Sequence, residues 1–317
     1  MGSKMHSFSK RYILACLYVG VAIFSCAPGS EKTWRSGIYS IDNRGDEILV
    51  GAPGYILKWN FLSGQTEELE GARHWNDVRF YRDGLLTVGG DGQVLFWREG
   101  SRKQIRKGEY PLSGLAIYRD FYAIASNDNK VVVYSDIDQE VWLFEDVDPR
   151  NTIEAIHIVD DTHVIAGGGR FTSGAWIRIW ELRSGKLLKS IEDAHDRGAV
   201  VGIASSADGK LFATTSKNRT IRLWGLPDGI LLKEFRMVDE MPAIQFGANG
   251  RYLFSAGWDG NLHVWETKTF EKVFVKKLDS DSITALYVRD DCDVVIAGAY
   301  DGKIQVMNLE NDLDCQN

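Results

Sequence analysis

Apolar and polar positions along the chain follow a phrase that returns about every forty residues. A short apolar strand leads into a turn of Gly with Asp or Asn, and a second short strand ends in a large apolar residue, usually Trp. Clear copies are residues 85–97 (LLTVGGDGQVLFW), 211–224 (LFATTSKNRTIRLW) and 252–265 (YLFSAGWDGNLHVW). The terminal anchors are Trp59, Trp97, Tyr134, Trp180, Trp224, Trp265 and Met307, at intervals of 38, 37, 46, 44, 41 and 42 residues. Each unit holds three obvious strands and a weaker fourth; in the sixth unit these are 243–246, 252–256, 261–265 and 272–275. Alternation in the third strand, as at 221–224 (IRLW), predicts a half-buried antiparallel strand. Strands this short make no stable sheet alone, so the units are expected to stack face to face.

The turns carry a second signal. Residues 82–84 (RDG), 207–209 (ADG) and 248–250 (ANG) separate first and second strands, and Asp91-Gly92, Asp259-Gly260 and Asp301-Gly302 separate second and third. Asp or Asn beside Gly suits a tight hairpin, because Gly takes positive φ cheaply.

With anchors and turns together, the chain resembles the WD-repeat β-propellers over about residues 36–308. The resemblance implies an all-β fold: a single seven-bladed propeller of four-stranded antiparallel blades. In that family an Asp six residues before the Trp fixes the turn. Asp91, Asp128, Asp259 and Asp301 match it, Asn218 stands there in the fifth unit, Pro53 replaces it in the first, and Gly174 lies beside an inserted loop in the fourth. A family histidine before the first strand bonds to that Asp; His195 fits, with Asn218 as its expected partner, and His74 fits more loosely with Asp91. The customary Gly-His pair is missing throughout. The family closes its ring by strand pairing at the last unit, expected here from residues 32–35 or alternatively from 312–315.

Composition adds limits. Apolar content of 44% and charged content of 26% are ordinary for a globular protein, and 32 Gly against 6 Pro fit many tight turns. The formal net charge is -7, with acids and bases interspersed and no basic stripe, which argues against nucleic acid as a direct partner.

The first thirty residues read differently. Lys10 and Arg11 precede the apolar run 12–24 (YILACLYVGVAIF), followed by Ser25 and Cys26. This suits an export signal and is short for a membrane-spanning helix. The ending 23–26 (IFSC) resembles a bacterial lipoprotein cleavage box, which implies that residues 1–25 are a signal peptide and that Cys26 becomes the lipid-modified first residue. A lipidated N-terminus over 26–35 and a propeller over 36–317 would follow. A cleaved signal without lipid, an uncleaved anchor and a buried strand or helix are the alternatives. Cys292 and Cys315 are then the remaining pair, and an oxidising compartment would permit a disulfide between them.

Catalytic patterns are missing from the sequence: there is no G-x-S-x-G elbow, H-E-x-x-H or P-loop, and no Cys or His spacing for a metal. His157, His163 and His263 offer no paired ligand spacing, and His263 is expected on an exposed or inter-blade strand face. Acids such as Asp160, Asp161, Asp279 and Asp281 fall in turns, where solvation explains them. No cofactor, metal or catalytic residue is expected.

Departures from the repeat point elsewhere. Trp258 and Tyr300 directly precede the turn Asp in adjacent units, a position that in the family faces the narrow end near the central channel. Trp75 lies in the loop leading into the second unit, Arg170, Phe171 and Trp176 border the enlarged loop of the fourth, and Arg197 lies before the fifth. Aromatic and Arg side chains on loops are the usual makeup of a binding hot spot. The expected function is a non-catalytic protein-binding scaffold: a lipid-anchored subunit of a bacterial envelope complex at the periplasmic face of the outer membrane. A propeller that binds a ligand or acts as an enzyme through its channel, and an intracellular scaffold, are the alternatives.

Overall fold

A computed structural model describes residues 37–61, 63–70, 76–136, 139–145, 152–170, 174–278, 282–292, 294–309 and 312–315. Its strands come in chain order as seven antiparallel sheets. Blade 1 is β1 (Ser40–Arg44), β2 (Glu47–Ala52), β3 (Tyr55–Asn60) and β4 (Thr66–Glu70). Blade 2 is β5 (Asn76–Tyr81), β6 (Gly84–Gly89), β7 (Gln93–Arg98) and β8 (Ser101–Lys107). Blade 3 is β9 (Leu112–Tyr118), β10 (Phe121–Ser126), β11 (Lys130–Tyr134) and β12 (Glu140–Glu145). Blade 4 is β13 (Ile153–Ile158), β14 (His163–Arg170), β15 (Gly174–Glu181) and β16 (Leu187–His195). Blade 5 is β17 (Val200–Ser205), β18 (Leu211–Ser216), β19 (Thr220–Gly225) and β20 (Ile230–Arg236). Blade 6 is β21 (Ala243–Gly247), β22 (Tyr252–Ala256), β23 (Asn261–Glu266) and β24 (Lys272–Lys277). Blade 7 is β25 (Ile283–Val288), β26 (Val295–Ala299) and β27 (Ile304–Met307), with three strands among the described residues.

The core is not one mass. It divides into seven apolar clusters, and each lies between two neighbouring blades. One of them joins blade 7 to blade 1 through Ala285, Val294, Ile296 and Ile304 against Ile38, Ile41, Ile48 and Trp59, so the stack closes into a seven-bladed ring. The first strands β1, β5, β9, β13, β17, β21 and β25 contact one another in sequence around the centre. Backbone joins the ends as well: Ile38 N donates to Ala299 O at 3.0 Å, and the Thr284 hydroxyl donates to Ile38 O. Residues 32–35, one expected source of the closing strand, lie outside the described residues; 312–315, the other, form no strand.

All seven anchors stand at the last or next-to-last position of third strands and are buried, from Trp180 at 0% exposure to Trp97 at 7%. Second strands are buried along almost their whole length, because neighbouring blades cover both faces. The same cover corrects the expectation for the third strand. In β19 every residue but the last is buried, Arg222 included. Its guanidinium is satisfied there: Nε and Nη2 donate to Glu234 Oε2 at 2.8 and 2.6 Å, Nη1 to Ala194 O, and Nη2 to Asp196. Alternation of side chains was right, but the polar face meets another blade rather than water. Outermost strands are the exposed ones, as in β4 and β20.

The sulfurs of Cys292 and Cys315 are bonded, with Cα atoms 5.9 Å apart. The bridge folds the C-terminal segment back on blades 6 and 7, where Leu309 and Leu313 are buried and Arg251 pairs with Asp314 at 2.9 Å.

Candidate functional site: an aromatic loop face

Strict antiparallel order brings two kinds of loop to one end of the ring: the turn between second and third strands, and the connection into each first strand. Among the described residues every exposed aromatic ring lies in these loops: Tyr39, Tyr110, Trp258 and Tyr300, at 44%, 50%, 54% and 60% exposure. Val238, in the connection into blade 6, joins them at 82%.

Trp258 and Tyr300 are held out by close backbone packing beneath them. Trp258 N donates to Glu240 O at 3.0 Å, and Ile283 N donates to Gly257 O at 3.0 Å, so this turn is tied to the connections on both sides. A Cβ on Gly257 would fall 2.0 Å from Glu240 O, which restricts the position to glycine. Tyr300 N donates to Ser282 O at 2.8 Å, and its ring lies over Gly37, where a Cβ would approach it to 2.8 Å. Tyr39 follows two residues later. Its phenol is raised above the ordinary value, first by burial of the hydroxyl and then by the nearby Tyr300 phenol. Tyr39, Tyr300, Trp258 and Val238 therefore form an arc over blades 1, 7 and 6.

Arg170 and Arg197 are exposed at the same end, on blades 4 and 5. Trp176 is corrected: it is 2% exposed within the packing of blades 3 and 4, with Arg178 over its ring at 5.1 Å, and presents no face to a partner. It was expected beside an enlarged loop, but β14 and β15 are eight-residue strands paired out to Arg170 and Gly174, and Trp176 stands inside that hairpin opposite Gly168. Trp75, Phe171 and Cys26 lie outside the described residues, as does His74. Tyr39, Tyr110 and Val238 were missed because they stand in connections, where no repeat register distinguishes an exposed ring from a strand's first apolar residue.

The turn residues hold their own turns. Asp91 accepts from Gln93 N at 3.1 Å, Asp301 from Lys303 N at 3.2 Å, and Asn218 Oδ1 from Thr220 N at 3.1 Å, while Asp128 pairs with the Ser126 hydroxyl and with Lys130 at 3.2 Å. His195 does not meet Asn218 directly. Its Nδ1 bonds Thr220 Oγ1 at 2.6 Å, and that hydroxyl bonds Asn218 Oδ1 at 2.6 Å; its Nε2 bonds Thr214 Oγ1 at 2.9 Å, which also accepts from Trp224 Nε1. Thr220 is interposed between them. In blade 6 the histidine comes from the third strand instead: His263 Nε2 lies 2.7 Å from Asp259 Oδ2 and is 6% exposed. Burial opposes the charge of Asp259, yet hydrogen bonds from His263 and Asn261 leave its carboxyl below the ordinary value.

Acids also converge on the inner ring. Asp42 Oδ2 accepts from Phe80 N at 2.7 Å, Ser40 Oγ from Val78 N at 2.9 Å, and Asp77 Oδ2 from Leu115 N at 3.0 Å, while Arg79 pairs with Asp77 at 2.8 Å. First strands have one sheet edge without a partner, and these side chains satisfy its N–H groups from the preceding blade. Burial raises the Asp42 carboxyl, against the pull of Arg79. The two carboxylates are thus occupied as latches between blades.

Comparison with known proteins agrees with this architecture. The WD domain, G-beta repeat, matches residues 185–225 and 241–266, which fall on blades 4 to 6. A guanine nucleotide-binding protein subunit beta of Oryza sativa subsp. japonica is 26% identical over 321 residues, covering 92% of this chain and 70% of that protein. Autophagy-related protein 16 of Arabidopsis thaliana is 23% identical over 244 residues, with 72% and 46% covered, and WD repeat-containing protein 1 of Gallus gallus 21% over 253 residues, with 76% and 39%. The chain thus spans from 39% to 70% of these relatives' lengths. It is a seven-bladed β-propeller in which the matched repeats carry the signature of the WD domain, G-beta repeat.

Proposed function

We propose that the protein is a non-catalytic platform that binds another protein on its aromatic loop face, held at a bacterial envelope membrane by a lipid on Cys26. The observation that carries the reading is the arc of Tyr39, Tyr300, Trp258 and Val238, exposed together on one end of a rigid ring. Exposed Trp and Tyr on backbone that hydrogen bonds fix in place offer a large contact area with little ordering cost. Relatives named as a subunit and as WD-repeat proteins support a role in assembly. The anchor rests on the sequence of residues 10–26. Gly37 lies eleven positions after Cys26, a reach of about 40 Å at most, so the ring would stay close to the bilayer.

Co-purification from native membranes tests the face. Trp258→Ala and Tyr300→Ala should each lower partner recovery about tenfold or more, with unchanged thermal stability. Equal recovery from both variants removes these residues from the interface. For the anchor, Cys26→Ser should release the chain from membranes or block its processing, and unchanged membrane association and mass would refute it.

A further inference from the structure

Blade 3 departs from the repeat two residues before its anchor. The other blades hold Leu57, Leu95, Arg178, Arg222, His263 and Gln305 at that position, and blade 3 holds the smaller Val132. Side chains two apart on a strand share a face, so this residue points the same way as the anchor. In blade 3 that face meets blade 2, where Arg106 of β8 lies 4.9 Å over the Tyr134 ring. Blade 5 fills the equivalent space with Arg222, which reaches Ala194 O of blade 4. Blade 3 offers a valine there, and its anchor is Tyr134 where five other blades have Trp. A cleft of about 210 Å³ lies between blades 2 and 3, with Val132 and Tyr134 in its lining.

The cleft begins at the aromatic-loop end, bordered by Gly92, Gly108, Tyr110 and Asp128, and runs along β11. Val94, Leu112, Ile124 and Val132 give it apolar walls. Its rim is fixed by backbone. Gly108 N donates to Gly92 O at 2.8 Å, and Asn127 N donates to Pro111 O at 2.9 Å, so the connection that carries Tyr110 is tied to a turn of each blade. Size selects the class of occupant. An apolar cavity of about 150 Å³ takes a benzene ring, whereas pockets for drug-sized ligands start at about 300 Å³. The cleft therefore suits one bulky side chain and not a cofactor.

Charge narrows it further. The lining holds Arg106, Lys107 and Lys130 against Glu109 and Asp128. Asp128 and Lys130 pair with each other at 3.2 Å. Of the other three, Arg106 and Lys107 are basic and Glu109 is acidic. They follow from β8, which reads SRKQIRK and carries four bases and no acid in a chain of net charge -7. We infer that the cleft receives a side chain of phenylalanine size from an acidic segment of a partner protein, a second foothold at the same end of the ring as the aromatic arc. This rests on the platform reading above and adds the chemistry of what the platform binds.

The direct test titrates 3-phenylpropionate into the methyl-labelled full chain in lipid nanodiscs. Its ring stands for the anchoring side chain and its carboxylate for the acidic flank. Methyl resonances of Val94, Leu112, Ile124 and Val132 should shift and saturate, and uncharged 3-phenylpropanamide should bind about threefold more weakly. Val132→Phe fills the cleft and should abolish the shifts at Val94, Leu112 and Ile124 while melting as the parent does. The double variant Arg106→Gln, Lys107→Gln should bring acid and amide level. No saturating shift at these methyl groups in the parent, or shifts that survive in Val132→Phe, would overturn the site. An amide that binds as tightly as the acid, or an acid preference that the double variant keeps, would overturn the acidic flank. In co-purification, Val132→Phe should lower partner recovery as Trp258→Ala does. Full recovery with Val132→Phe beside a loss with Trp258→Ala overturns the cleft alone, and full recovery with both overturns the platform reading with it.

Discussion

Thr220 carries more of blade 5 than its size indicates. Its hydroxyl is the bridge between His195 and Asn218, in a network that also includes Thr214 and Trp224. Thr220→Val keeps the shape and removes the bridge, leaving His195 Nδ1 buried without its partner, and should cost about 1–3 kcal/mol in urea unfolding. Thr220→Ser retains the hydroxyl and should recover most of that loss. The imidazole gives a second, pH-resolved measurement. Burial, and then the positive charge of Arg222, push His195 down to about 3, against 6.5 for an unperturbed histidine. Below 6.5 the unfolded chain takes up a proton that the folded chain refuses. The resulting stability is complete above that pH and drains as pH falls toward 3, by about 1.4 kcal/mol per pH unit. Comparison of the parent with His195→Gln in urea between pH 7 and pH 4.5 should show the parent's advantage shrinking at that slope. A constant gap would mean that His195 is not held neutral in the folded protein.

At the scale of elements, the C-terminal segment has no strand to hold it, and the Cys292–Cys315 bond and the Arg251–Asp314 pair do so instead. A cross-link between residues 23 apart in sequence stabilises by about 3 kcal/mol through the unfolded chain. Reductant should therefore lower the melting temperature of the parent and leave that of Cys315→Ala unchanged; equal shifts in both would place the effect outside this bond. Much of the architecture was legible in the sequence, because seven anchors and their Gly-containing turns repeat a local requirement that each blade must meet. Trp176 was misread because it was placed at a loop border and not inside β15, and Arg222 for a different reason. Periodicity tells which side of a strand a residue takes but not what lies on that side, and in a ring of blades both sides of the inner strands meet protein. Trp258 and Tyr300 were found because they stand at a fixed step before the turn Asp. Tyr39, Tyr110 and Val238 have no such register, and their exposure is decided by how the connections lie over the ring. His263 was read only as a strand residue, since nothing in its spacing reveals that it replaces the histidine expected before the first strand.

For the whole molecule, the question is what keeps seven separate cores acting as one ring. Apolar packing between blades is non-directional and tolerates small rotations, whereas the hydrogen bonds of the first strands fix how each blade is seated on the next. Ser40 and Asp42 seat blade 2 on blade 1, Asp77 seats blade 3 on blade 2, and the Thr284 hydroxyl with Ile38 joins blade 7 to blade 1. Asp42 separates the two parts of such a latch, its charge and its hydrogen bond. Burial raises its carboxyl above the ordinary 3.8, so the folded state holds the proton more firmly than the unfolded chain does, and as pH rises through the folded value the cost of burying the charge is added. Asp42→Asn removes that cost and keeps an oxygen for Phe80 N, so at pH 7 it should be as stable as the parent or more so. Asp42→Ala leaves the Phe80 N–H of an inner strand without its acceptor, and should lose about 1–3 kcal/mol. Urea unfolding of the three chains at pH 7 distinguishes the cases: if Asn falls as far as Ala, the charge and not the hydrogen bond seats the blades. Because the loop turns of blades 6 and 7 are tied to the connections beside them, the same seating sets the spacing of Trp258, Tyr300 and Tyr39. Asp42→Ala should therefore weaken partner capture as well as stability, and Asp42→Asn should spare both.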